Sequence, residues 1–309
     1  KLCPHGCTIE ESKKGVCGLR ELRSGKLYPS NYGYVTSISL DPIEKKPLYH
    51  FKPGNSILSV GSYGCNFKCE FCQNYSISQY KSEGTRIDPS DLVDMALREK
   101  DNIGLCFTYN EPLTWYEYVY DVCEAANNTG LSMVLVTNGF IDNEPLKEIL
   151  KFVDAVNIDL KAFTDDFYKK VCRGTLENVL SNIETAISMC HVELTTLLVN
   201  GLNDSPDEIL KLSSWLSEIN PNIPLHLSRY FPNYKMDISA TPVERILSLR
   251  DLAKEKLNYV YVGNVPGVDN STICPECGET AVRRNGFMIE VLSRDGNCPK
   301  CGNDLNLEL

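Results

Sequence analysis

From Ser56 onward the chain alternates short runs rich in β-branched residues with amphipathic helical stretches, and this alternation constrains the fold more than any other feature. Strands are expected at residues 57–61, 103–108, 131–137, 154–160, 192–199 and 224–229, with a short last one at 259–263. Helices are expected at 89–100, 113–127, 176–190, 206–218 and 241–256. Roughly six such repeats imply an α/β fold, an incomplete (β/α)6 TIM-like barrel open on one side to admit a bulky substrate. A chain of 309 residues with 42% hydrophobic content can bury that core as one main domain with appendages. The expected division is 1–55 as an N-terminal Cys-rich extension, 56–270 as the partial barrel and 271–309 as a C-terminal zinc-ribbon-like unit.

Barrel active sites are built from the loops at the carboxyl ends of strands. The loop after the first strand reads GCNFKCEFCQN, residues 64–74, and contains Cys65, Cys69 and Cys72. Gaps of three and two residues let three sulfurs meet three corners of a four-iron, four-sulfur cube, leaving the fourth iron open. A catalytic metal keeps such a position for substrate, whereas a structural one is closed. Gly64 lets backbone approach an inorganic cube, and Phe67 and Phe71 supply an apolar shell. A zinc site or three buried thiols are the competing readings.

Ten of the fourteen cysteines fall into three local groups with ligand-like spacing, which favours metals over disulfides. Cys106, Cys123, Cys172 and Cys190 are scattered and read as structural thiols. Cys274, Cys277, Cys298 and Cys301 form two paired knuckles, four thiolates with no vacancy, the pattern of structural zinc or a rubredoxin-like iron. Arg283, Arg284 and Arg294 between them would either contact a phosphate-bearing or acidic partner or stay solvated. At the start, Cys3, Cys7 and Cys17 suggest a knuckle for zinc or a second cluster, with a fourth ligand expected upstream of Lys1 and His5 as the substitute. Reduced surface thiols are the alternative.

A formal charge of -10 and a pI near 5.0 argue against broad attraction to nucleic acid or anionic membrane. No apolar run reaches the length of a membrane span and no leader pattern is seen, so a cytoplasmic protein is expected.

The three-cysteine spacing, with aromatic Phe71 just before the last cysteine, resembles the radical S-adenosylmethionine enzymes. The runs LCPHGC (residues 2–7) and DPIEKKPLYHF (residues 41–51) further resemble the radical enzyme of the AmmeMemoRadiSam group, relatives of pyruvate formate-lyase activating enzymes. The resemblance covers nearly the whole chain. It implies a [4Fe-4S] cluster on Cys65, Cys69 and Cys72, with Phe71 beside it, and S-adenosylmethionine as the second cofactor. TYNEP, residues 108–112, resembles the glycine-glycine-glutamate element that receives the methionine amino group, with Tyr109 and Asn110 in place of the glycines and Glu111 as acceptor. A helix cap is the plain reading of Glu111.

Thr137 and Asn138 could hydrogen-bond the ribose or carboxylate of that ligand, or form an ordinary turn. By the same resemblance Asp159 and Lys161 lie beside the S-adenosylmethionine, a rim ion pair being the alternative. Asn200 is expected near the adenosine. His226 is expected near the methionine moiety, against a histidine satisfied in the core. The implied activity is reductive cleavage of S-adenosylmethionine to methionine and a 5′-deoxyadenosyl radical that abstracts hydrogen, with an electron donor such as ferredoxin or flavodoxin. Three targets stay open: a glycyl-radical protein substrate, direct modification of a small molecule, lipid or nucleic acid, and a noncatalytic metal-bearing binding module.

Overall fold

The computed structural model describes residues 1–11, 13–286 and 288–309. Its centre is an eight-stranded sheet whose spatial order follows the sequence: β1 Ser37–Pro42, β2 Ser56–Gly61, β3 Asn102–Phe107, β4 Ser132–Thr137, β5 Ala155–Asp159, β6 His191–Leu198, β7 Leu225–Arg229 and β8 Val260–Gly263. β2 to β8 pair in parallel, and β1 runs antiparallel beside β2. The longer helices that join the parallel strands are α1 Pro89–Arg98, α2 Tyr116–Ala126, α3 Asn143–Leu150, α4 Leu176–Ile187, α5 Pro206–Ile219 and α6 Val243–Ala253. This is an α/β fold with a partial, barrel-like parallel sheet.

Local chemistry sets these boundaries. Pro89 opens α1, where its missing N–H removes a donor that would have no partner anyway. The Ser205 side chain caps α5 by accepting from the Glu208 amide at 3.2 Å. In β6 the period of two splits the strand: Val192, Leu194 and Leu198 join the large core against the helices, while His191, Glu193, Thr195 and Leu197 share the other face.

That other face, the lumen, is filled from outside the repeats. Ile43, Leu48 and Phe51 form a second apolar cluster with Ile57, Cys106, Val134 and Ala155 of the strands. The strap carrying them is tied down by polar bonds. Asn157 Nδ2 donates to Pro47 O at 2.7 Å, the His50 amide donates to Glu193 Oε1 at 2.7 Å, and Lys46 Nζ pairs with Asp41 at 2.8 Å. The C-terminal segment closes the same end, the Lys52 amide donating to Glu308 O at 2.6 Å and the Glu308 amide to His50 O at 2.8 Å.

Several elements differ from the sequence expectations. The expected N-terminal extension, residues 1–55, supplies the edge strand β1 of the central sheet. Helix α3 was not anticipated, because its eight residues contain Pro145 near the start and hold too few turns to display a period. The expected helix 113–127 divides into a 3-10 turn, Pro112–Trp115, and α2. Arg284 is neither solvated nor free for a partner: it is 7% exposed, donates to Tyr49 O at 2.5 Å and Thr272 Oγ1 at 2.7 Å, and lies over the Tyr49 ring. Arg283 pairs with Glu290 on the surface, and Arg294 is exposed.

Candidate functional site

The loop carrying Cys65, Cys69 and Cys72 leaves the carboxyl end of β2. Gly64 takes φ +93°, and the Leu19 side chain lies 2.6 Å from where a Cβ would stand, so no other residue fits there without displacing Leu19. Asn110 clamps the loop base, accepting from the Ser62 amide at 2.9 Å and donating to Gly64 O at 3.0 Å. Phe67 packs on Phe140 and Tyr168, and Phe71 packs on Phe167, so both aromatics hold the loop from beneath.

The three thiols line a cavity of ≈ 240 Å³ with Phe71, Asn110, Glu111, Asn138, Asp159 and Lys161. Burial pushes the Cys65 thiol far up, with the Glu111 charge adding to it. Cys69 is raised by its hydrogen bond to Cys172 and then by burial, and burial raises Cys72 against the Ser78 hydroxyl, 3.1 Å away. Such thiols stay protonated until a metal cation draws them into thiolates. The Phe67 amide at 3.3 Å and Asn138 Nδ2 at 3.7 Å already face Cys65 Sγ, as donors to a metal-bound sulfur do.

Two further observations test the fit. Cys65, Cys69 and Cys72 all edge one cavity, which leaves room for a cluster between them, and polar side chains line the rest of it. Thr195 Oγ1, buried on the cavity wall, has no hydrogen-bond partner. A buried polar atom left without a partner calls for one, and the residue that carries it lines the cavity. The residues therefore fit a [4Fe-4S] cluster with a polar organic cofactor beside it.

Glu111 is 2% exposed and caps the 3-10 turn through the Leu113 amide at 3.0 Å, while accepting from Thr137 Oγ1 at 2.6 Å and the Asn138 amide at 2.8 Å. Burial lifts its pKa to about 7 against those bonds. A carboxylate offers about four acceptor positions, so one remains open toward the cavity. Thr137 thus supports Glu111 and does not itself line the cavity. Lys161 and Asp159 form an ion pair at 2.8 Å on the wall.

Two expected residues lie elsewhere. Asn200 is bonded to Ser239 Oγ at 3.2 Å outside the cavity. His226 lies outside the cavity lining, its side chain turned to Glu193 Oε2 at 2.6 Å and packed on Tyr49. Sequence reasoning missed Thr195 and Asn264, and Cys172 as a partner of Cys69. The signal available for Thr195 was alternation in HVELTTLL, which sets it on the same face as Glu193.

The other cysteine groups are distinct from this cavity. Cys274 and Cys301 approach to 3.6 Å and Cys277 and Cys298 to 3.5 Å, a four-thiol set able to bind a metal. Cys3, Cys7 and Cys17 line a separate cavity of ≈ 640 Å³. His5 is engaged there, its Nε2 2.8 Å from Asn66 O.

The model of the radical SAM superfamily matches residues 59–213. Over 319 aligned residues the chain is 41% identical to an uncharacterized protein of Methanocaldococcus jannaschii, spanning 100% of this chain and 95% of that one. It is 26% identical over 217 residues to the pyruvate formate-lyase-activating enzyme of Clostridium pasteurianum, covering 63% of this chain and 88% of the other. A radical SAM methyltransferase from Sphaerobacter thermophilus shares the fold with a TM-score of 0.55 at 17% identity, over 69% of this chain and 67% of the other.

Proposed function

Because this chain belongs to the radical SAM superfamily, we propose that it is an activating-enzyme-like radical enzyme that removes a hydrogen atom from a macromolecular partner. The [4Fe-4S] cluster with S-adenosylmethionine supplies, when bound, the electron and the 5′-deoxyadenosyl radical for that abstraction. The observation that carries this reading is the cavity itself, where three thiols, one buried and two half-buried, meet a buried carboxyl, a half-buried ion pair and an unpartnered hydroxyl.

Cys65, Cys69 and Cys72 hold the cluster. Glu111 uses its remaining acceptor position for the ammonium of the methionine moiety, with Thr137 and the Asn138 amide fixing its orientation. That cation reverses the effect of burial, so cofactor binding below pH 7 expels a proton from Glu111. Asp159, Lys161 and Thr195 bind the polar remainder of the cofactor, and Phe67 and Phe71 exclude water from the cluster side. The LCPHGC and DPIEKKPLYHF runs support assignment to the AmmeMemoRadiSam group. Similarity to an activating enzyme, together with cysteine knuckles at both ends, favours a large partner over a diffusible metabolite.

Anaerobic reconstitution followed by a search for deuterium passed from labelled candidate substrates into 5′-deoxyadenosine tests the proposal. Transfer from a labelled glycine of a protein partner is the expected result. Transfer from a small metabolite alone would overturn the macromolecular assignment.

A further inference from the structure

The N-terminal thiols sit on the cluster loop rather than at a remote end of the fold. His5, between Cys3 and Cys7, bonds to the carbonyl of Asn66 at 2.8 Å, and Asn66 is the residue after Cys65. The His5 ring also stands edge-on to Phe140, whose carbonyl accepts from Asn66 Nδ2 at 2.6 Å. Covalent backbone and one hydrogen bond therefore connect Cys3 to Cys65.

The turn at Cys3 shares one feature with the C-terminal knuckles, a left-handed glycine whose amide returns to a cysteine carbonyl, three residues on at Gly6 and four at Gly278 and Gly302. Gly6 has φ +55° and returns its amide to Cys3 O at 3.1 Å. Gly278 and Gly302 have φ +74° and +75° and return theirs to Cys274 O and Cys298 O, each at 3.0 Å. Cys17 is likewise followed by a left-handed glycine, Gly18 at φ +76°. The Val16 amide faces Cys7 Sγ at 3.5 Å, the kind of donor that supports a metal-bound sulfur.

The arrangement differs from the C-terminal one in its surroundings. The C-terminal sulfurs converge within 4.8 Å of one another, as one tetrahedral ion requires. Cys3, Cys7 and Cys17 edge a cavity of ≈ 640 Å³ together with His5, a space with room for a cube. Cys7 is exposed, so a protein donor can meet this group at the surface.

We propose that Cys3, Cys7 and Cys17 hold a second iron–sulfur cluster that takes one electron from a protein reductant and passes it through His5 and Asn66 to the Cys65–Cys69–Cys72 site. The reductant is oxidised by one electron, and the N-terminal cluster returns to its starting state once it has passed that electron on. The relay role rests on the radical-enzyme reading above, whereas the cluster itself does not.

Acid-labile sulfide in the anaerobically reconstituted full chain separates the two, because a ribbon ion brings no sulfide. Wild-type chain is expected to hold about eight sulfides, and both the Cys65/Cys69/Cys72→Ala and the Cys3/Cys7/Cys17→Ala triple variants about four, if each site holds a cube. About four in wild type, or zinc without sulfide in the Cys65/Cys69/Cys72→Ala variant, would overturn the second cluster while leaving the proposed activity standing. For the relay, 5′-deoxyadenosine formation is compared with reduced flavodoxin and with dithionite, which is small enough to reach the loop directly. The flavodoxin-to-dithionite rate ratio is expected to fall about tenfold or more in the Cys3/Cys7/Cys17→Ala variant. An unchanged ratio overturns the relay. Absence of 5′-deoxyadenosine from wild type under both reductants overturns the radical-enzyme reading and the relay with it, and the sulfide counts still decide the cluster.

Discussion

The floor and the mouth of the half-barrel are built from the same strands but treat their polar groups differently. On the floor, Glu193 is closed by the His50 amide, His191 and His226 at 2.7, 3.2 and 2.6 Å. Two residues along the same face of β6, buried Thr195 has no partner and borders the thiol cavity. Asn157 Oδ1 and the Tyr259 hydroxyl are also unpartnered, yet neither lines that cavity. Glu193 on the floor is thus saturated by the fold, whereas Thr195 at the mouth keeps a hydroxyl that the fold does not use.

The largest expected effect is at the mouth. Cys69→Ala should reduce 5′-deoxyadenosine formation at least ~10³-fold, measured chromatographically on anaerobic protein, because the cluster loses one of its three loop ligands. Substantial turnover would erase the distinction between the two ends.

Next comes the floor. Glu193→Ala should lower unfolding free energy by about 3–5 kcal/mol, read from denaturant titration, because His226 and His191 lose their buried anion. Iron and sulfide at the mouth should stay at wild-type levels below the melting transition. A neutral result would mean that the floor network does not hold the fold.

The floor should also set the pH dependence. Burial lowers His50 from 6.5 to about 3, so the unfolded chain takes up a proton that the folded chain refuses, and stability falls as pH drops from 6.5 toward 3. Burial would lower His191 as well, but its bonds to Glu193 and Glu308 raise it from 6.5 to about 9. Its contribution is present below 6.5 and is lost as pH rises through 9. Melting temperature should therefore peak near neutrality on the acid side, with His50→Gln flattening the acid limb and His191→Gln the alkaline one. Limbs unmoved by both variants would locate the titration elsewhere.

The smallest effect sharpens the comparison most finely. Thr195→Val should weaken S-adenosylmethionine binding by about 0.5–1.5 kcal/mol in equilibrium dialysis, with no loss of stability, since its hydroxyl has no partner to lose. Lost stability with unchanged binding would make Thr195 a structural residue.

Much of this was legible beforehand where the signal was local. The repeated strand and helix periods gave the parallel sheet, and spacing alone singled out Cys65, Cys69 and Cys72 and the four C-terminal cysteines. What was not legible depended on long-range contact. Nothing local in DPIEKKPLYHF says that Leu48 and Phe51 enter the lumen, nor that Arg284 crosses to Tyr49, 235 residues away. His226 failed as a mouth residue for the same reason: alternation assigns its face, but its height along the barrel depends on the register of β7 against β6, where it lies opposite Thr195 while its side chain turns down to Glu193.

The central claim is that Cys65, Cys69 and Cys72 hold a cluster whose open iron binds S-adenosylmethionine. Electron paramagnetic resonance of the dithionite-reduced Cys3/Cys7/Cys17→Ala chain, before and after adding S-adenosylmethionine, tests it most directly. A reduced-cluster signal that changes on addition, and is absent once Cys69 is also replaced by Ala, is the predicted result. A signal indifferent to S-adenosylmethionine, or zinc in place of iron at the loop, would contradict it.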